Sequence, residues 1–146
     1  MSPAEELERT LHRDIPLSQA MGIRVVGYDG ACLQLAAPLE PNTNHKSTAF
    51  GGSLYSLAVL CGWGLLHLKL QEAGLHKHIV IQESSIRHLL PVSGELRAGS
   101  HIEADALQRF MHMLEKRGRA RIALETEIFQ EDKVAVAFSG RYVVHG

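Results

Sequence analysis

The stretch from Leu54 to Leu70 (L-Y-S-L-A-V-L-C-G-W-G-L-L-H-L-K-L) most limits what this chain can fold into, because it is apolar around nearly its whole circumference. A helix without a polar side has to be covered on every side. The run is shorter than the roughly 20 apolar residues that span a bilayer, and His67 and Lys69 sit near its end. No membrane association is therefore expected, and the cover has to come from the rest of the chain. Extended to Gly74, a helix of this size is about 30 Å long.

The flanking segments show what that cover is. Pro3 to His12 reads as a first helix, with an early proline, Glu5 and Glu6 in the first turn and Leu7 and Leu11 four apart. Ile15 to Gly22 reads as a connector or short helix. Ile23, Val25 and Tyr28 form a first strand that ends at Asp29-Gly30, and Ala31 to Ala37 returns to close a hairpin. A polar loop, Pro38 to Thr48, leads into the long helix. Beyond that helix the period changes to two: Ile79 to Leu90, Leu96 to Leu107, Ala120 to Ile128 and Val134 to Val144 alternate as half-buried antiparallel strands, with Gln130 to Lys133 as a hairpin turn. The expected fold is α+β, a long curved antiparallel sheet wrapped around one buried helix. Gly51, Gly52, Gly62 and Gly64 are expected where helix and sheet approach most closely. A sheet of this kind keeps open edges, so pairing into a homodimer or a dimer of dimers is expected.

Composition excludes several classes of function. The formal net charge is −1 and the pI about 6.7, which gives no electrostatic footprint for nucleic acid. Cys32 and Cys61 lack ligand-like spacing and suit a reducing compartment, and the acidic N-terminus is unlike a secretory signal, so a cytoplasmic location is expected. Nine histidines are scattered; only His76 and His78 are close, and no metal site is expected.

The chemistry concentrates at the polar loop. Asn42 to Ser53 ends in Gly51-Gly52 and opens the greasy helix. Free backbone N–H groups and the positive end of the helix dipole meet there and can hold a carbonyl oxygen or an anion. Ser47, Thr48 and Ser53 are natural helix caps. Gly52-Ser-Leu-Tyr-Ser fails the nucleophile-elbow pattern, because Tyr55 replaces its second glycine.

The element order, together with N-H-K-S-T-A-F-G-G-S-L-Y-S-L-A-V at Asn44 to Val59, resembles the hotdog fold of acyl-thioester enzymes. Within that superfamily it resembles the thioesterase-like domain found behind an acetyltransferase domain in some bacterial proteins. Glu83 to Val92 and Gly118 to Arg121 share the likeness, which covers roughly residues 15 to 144; residues 1–146 are read as one such domain. The resemblance implies hydrolysis of an acyl-CoA or acyl-carrier-protein thioester, with coenzyme A as part of the substrate and no other cofactor. It departs from the superfamily pattern at two places. Phe50 stands where many members have a histidine, and Val59 where they have the acid that activates water; no carboxylate occurs on the helix before Glu72.

On that reading the Gly52 and Ser53 amides would stabilise the developing oxyanion. Asn44 would orient water, with His45 or Glu83 as base, the latter from a strand that in a hotdog dimer faces the other copy's helix start. Ser47, Thr48, Phe50, Gly51, Tyr55, Ser84 and Ser85 would line the substrate. Arg87, His88, Arg117 and Arg119, with Lys116 and Arg121, would meet the phosphates of coenzyme A. The bland alternatives are loop-capping hydrogen bonds for Asn44 and His45, packing for the two glycines and solvated strand faces for the charges. The alternative function, suggested by Val59, is a thioester-binding module without catalysis.

Overall fold

The structure, a computed structural model, describes residues 1–146. Helix α1 (Pro3–Asp14) starts with a capping box, in which the Ser2 hydroxyl accepts from the Glu5 amide at 3.1 Å and the Ser2 amide donates to the Glu5 carboxylate at 3.0 Å. Short α2 (Pro16–Ala20) leads to a hairpin, β1 (Arg24–Tyr28) and β2 (Cys32–Ala37). The Asp29 carboxylate accepts from the Ala31 and Cys32 amides and closes the turn, and those bonds hold its pKa below the usual range. The buried helix α3 runs from Gly51 to Glu72, followed by β3 (His78–His88), β4 (Leu96–His101), helix α4 (Ala104–Arg117), β5 (Arg119–Gln130) and β6 (Lys133–His145).

The six strands form one sheet in the order β1-β2-β4-β5-β6-β3, and every pairing is antiparallel. Helix α3 lies across its inner face, where eleven of its residues are buried. Two glycines set that approach. A Cβ on Gly62 would run into the Tyr142 ring, with Cζ only 2.7 Å away, and one on Gly64 would stand 2.9 Å from Leu33 Cδ2. The Tyr142 hydroxyl donates to the Val59 carbonyl at 2.8 Å, so β6 is hydrogen-bonded to the backbone of the helix it covers. Gly52 differs from the expectation, because its α-carbon faces the Phe50 ring of its own loop rather than the sheet.

The strand expected over Leu96 to Leu107 is corrected by the structure. Strand β4 stops at His101, Glu103 takes the N-cap position of α4 without a side-chain capping bond, and Gly118 follows the helix with φ +70. The alternation at Ile102, Ala104 and Ala106 is accidental. Phe110 and Leu114, four apart, are buried and dock α4 beside the first half of β5, where β4 no longer reaches. By sheet order β1 and β3 are the two edge strands.

Candidate active site at the start of the central helix

The loop that delivers α3 is pinned from several sides. The buried Asn42 side chain donates from Nδ2 to the Met21 carbonyl at 2.9 Å and the Pro38 carbonyl at 2.8 Å, while the Asn42 backbone carbonyl accepts from the Phe50 amide at 2.7 Å. The Ala49 amide donates to the Val92 carbonyl at 2.8 Å. Asn44 closes the loop on itself. Its Oδ1 accepts from the Lys46 amide at 2.8 Å and the Thr48 amide at 3.2 Å, and its Nδ2 donates to Thr48 Oγ1 at 2.9 Å. Ser47 takes φ 65 at the tip.

Helix α3 has no side-chain cap, because Phe50 is its N-cap residue. The Ser53 and Leu54 amides both donate to the Phe50 carbonyl, at 3.0 and 3.1 Å. The Gly51 and Gly52 amides have no protein acceptor. The free pair of donors therefore lies one residue earlier than Gly52 and Ser53. The Phe50 ring, 55 % exposed, lies over Gly52. The His88 imidazole stands beside Gly51, its Cε1 3.6 Å from where a Cβ on that residue would lie.

Strand β3 explains how His88 gets there. A bulge between Ile81 and Glu83 shifts the register, after which Ser84, Ile86 and His88 turn toward α3 and Glu83, Ser85 and Arg87 turn away. The Ser84 and Tyr55 hydroxyls share a hydrogen bond of 2.7 Å on the inner side, with Tyr55 edge-on to Phe138. Glu83 instead faces solvent and accepts from Arg141 Nη1 at 2.9 Å. Arg87 and His88, grouped by sequence, thus lie on opposite faces of the sheet. His45 is exposed, and its side chain has no hydrogen-bond partner.

The distal basic residues are also separated from this corner. Arg119 is in register with His145, and through it with His78, at one end of the sheet; Ile128, Val136 and His88 mark the other. Nine residues of β5 separate the two ends, about 30 Å at 3.3 Å per residue. Within one chain, Arg117 and Arg119 and the Gly51–Gly52 amides cannot touch the same pantetheine arm.

The structure brings together Gly51, Gly52, Phe50 and His88, with the Tyr55–Ser84 pair on the adjoining stretch of α3 and β3. Asn42 was missed from sequence; its only signal is a turn-forming Pro-Asn-Thr-Asn cluster. No group of three or more potential metal ligands is present.

Comparison with known proteins agrees with this architecture. A structure from Chlorobaculum tepidum TLS, a protein of unknown function, is 39 % identical over 97 % of this chain and 93 % of its own, with a TM-score of 0.93. A Shewanella oneidensis structure named as a thioesterase, with the same qualifier as the family below, is 30 % identical over 99 % of this chain and 98 % of its own, at 0.86. A Haemophilus influenzae thioesterase, 18 % identical over 99 % and 91 %, shares the fold at 0.76. Residues 4–146 match the family model described as "Putative thioesterase (yiiD_Cterm)". With a six-stranded antiparallel sheet around a long central helix, the chain belongs to that thioesterase family and has the hotdog fold.

Proposed function

We propose that the protein hydrolyses an acyl thioester of coenzyme A or acyl-carrier protein, with the acyl carbonyl accepting from the Gly51 and Gly52 amides. The observation that carries this reading is a pair of consecutive amides without protein acceptors, at the positive end of a 22-residue helix, with an imidazole beside them. His88 is the base, since the superfamily's helix acid is replaced by Val59 and Glu83 is turned outward to Arg141. Water adds to the carbonyl carbon and gives its proton to His88. The negative charge gathers on the carbonyl oxygen between the two amides. The C–S bond then breaks, and the thiolate takes the proton back from His88. Asn44 holds the loop rather than water. Coenzyme A enters only as part of the substrate, and the cytoplasm is where such thioesters would be met.

The working unit in this reading is a homodimer joined along the edge of β3. Eleven residues long, that strand leaves one side of its backbone without a neighbouring strand, and Val80 on it and Leu89 just beyond it are 48 and 49 % exposed. Antiparallel pairing there would set a second copy against each helix start. Free-thiol release from a panel of acyl-CoAs tests the reaction, and His88→Ala should lower turnover about 100-fold or more while folding is kept. Val59 favours a second reading, binding without hydrolysis. Acyl-CoA bound at micromolar levels with no thiol released at any chain length would establish it and overturn the first.

A further inference from the structure

One turn into α3 the helix is tied to the strand beside it. Gly51 and Tyr55, four residues apart, face the same side of the helix. On β3 the inward residues are His88, Ile86 and Ser84. At the outer end of this stretch the His88 imidazole stands next to Gly51. At its inner end the Tyr55 and Ser84 hydroxyls meet at 2.7 Å and bridge helix and sheet.

The space behind that bridge is filled. Ser84 is in register with Gly140 on β6, and two neighbours occupy the room that a side chain on Gly140 would need. Phe138 Cε1 lies 2.8 Å, and Ile81 Cδ1 3.1 Å, from where a Cβ on Gly140 would stand. The same Phe138 ring is buried and meets Tyr55 edge-on, with centroids 5.7 Å apart. Two hydroxyls backed by a phenyl ring and an isoleucine therefore close the inner end. Between this closure and the free amides, Ile86, partly buried against the core, lines the strand side.

We propose that the Tyr55–Ser84 bridge is the floor of the acyl site and restricts the protein to short-chain thioesters. The inference rests on the acyl carbonyl sitting at the Gly51 and Gly52 amides. From there the polar coenzyme arm runs out to solvent, and the acyl chain runs inward along α3 past Ile86. Four helical residues, about 6 Å at 1.5 Å per residue, separate Gly51 from Tyr55, and about four chain carbons fill that length. Up to the floor, each methylene leaves water and tightens binding about four-fold. A longer chain has to break the bridge and push Tyr55 off Phe138, or fold back into water, and either removes that gain. Tyr55 thus determines specificity: it meets the end of the chain and not the reacting atoms.

Calorimetry with oxoalkyl thioethers of coenzyme A tests the length limit apart from turnover, because these keep a carbonyl but have no thioester to cleave. In the wild type, affinity should rise about four-fold per added carbon to a break near about four carbons, and fall beyond it. Tyr55→Ala, with its fold checked by circular dichroism, should move the break outward by about four carbons, since Val59 lies one further turn along α3. Tyr55→Phe keeps the ring and should keep the break. Wild-type affinity that still climbs four-fold per carbon through about eight carbons, or a break that Tyr55→Ala leaves in place, overturns the inference and leaves the carbonyl site standing. A series that binds at no length overturns the carbonyl site, and the inference with it.

Discussion

Gly62→Ala tests how closely the sheet grips the central helix. In isolation the change should help, because alanine favours a helix interior over glycine by about 1 kcal/mol. Here the new methyl would overlap the Tyr142 ring, whose Cζ and Cε2 lie 2.7 and 2.9 Å from its position, and Tyr142 is fully buried. Overpacking of this kind costs about 1–3 kcal/mol. Displacing the ring also stretches the 2.8 Å bond from its hydroxyl to Val59 and leaves a buried hydroxyl unpaired, a further cost of about 1–3 kcal/mol. The net loss is about 3 kcal/mol, which for a chain of this length lowers Tm by about 6–12 °C. Urea and thermal unfolding of Gly62→Ala, Tyr142→Phe and the double variant measure it. The two changes should be non-additive, since removing the hydroxyl removes both the nearest overlap and the bond at risk. A Gly62→Ala protein as stable as the parent, or more so, would refute the close approach of α3 to β6.

Three further outcomes are expected. Asn42→Ala should cost about 2 kcal/mol in urea unfolding, because the Met21 and Pro38 carbonyls both lose their donor; the Phe50 amide keeps its backbone acceptor, so the α3 helix itself stays intact. His67 is stacked on Trp63 at 5.0 Å with its Nε2 buried and unpartnered, and burial holds its pKa below the ordinary 6.5. The unfolded chain takes up this proton more readily than the folded one, so the stability it contributes is full above about 6.5 and is lost as pH falls through the depressed folded value. His67→Gln should flatten that part of the pH dependence of the urea midpoint. Tyr55→Phe should cost about 1 kcal/mol by breaking the 2.7 Å bond to Ser84, read in the same assay.

Much of the fold was legible because burial writes its period into the chain. Alternation in β5 and β6 and the all-round apolar surface of α3 were unambiguous, and the Asp29-Gly30 turn located the first hairpin. Helix α4 was not, because three small or apolar residues at period two mimic a strand. The helical signal, Phe110 and Leu114 four apart, lies in the segment between the expected strands. The candidate site was legible as a loop but not as an assembly. Its glycines announce free amides, yet which two are free depends on the Phe50 carbonyl taking the Ser53 and Leu54 donors. Which face His88 occupies depends on a one-residue bulge at Gln82, and a shift of one residue exchanges every side chain between inner and outer faces. Arg117 and Arg119 are near the helix loop in neither sequence nor space, and only strand register shows the distance.

The uniformly apolar surface of α3 has a consequence for biosynthesis. Helix α1 and strand β2 precede this apolar helix and cover part of it, and β3 to β6, which complete the cover, follow it in the chain. Its last residue, Glu72, leaves the peptidyl-transferase centre 73 residues before His145, which completes β6. At a translation rate of about 5–20 residues per second, the part of the helix that β3 to β6 will cover waits about 4–15 s for them. The order of synthesis therefore leaves one side of the helix exposed until the last strand is made.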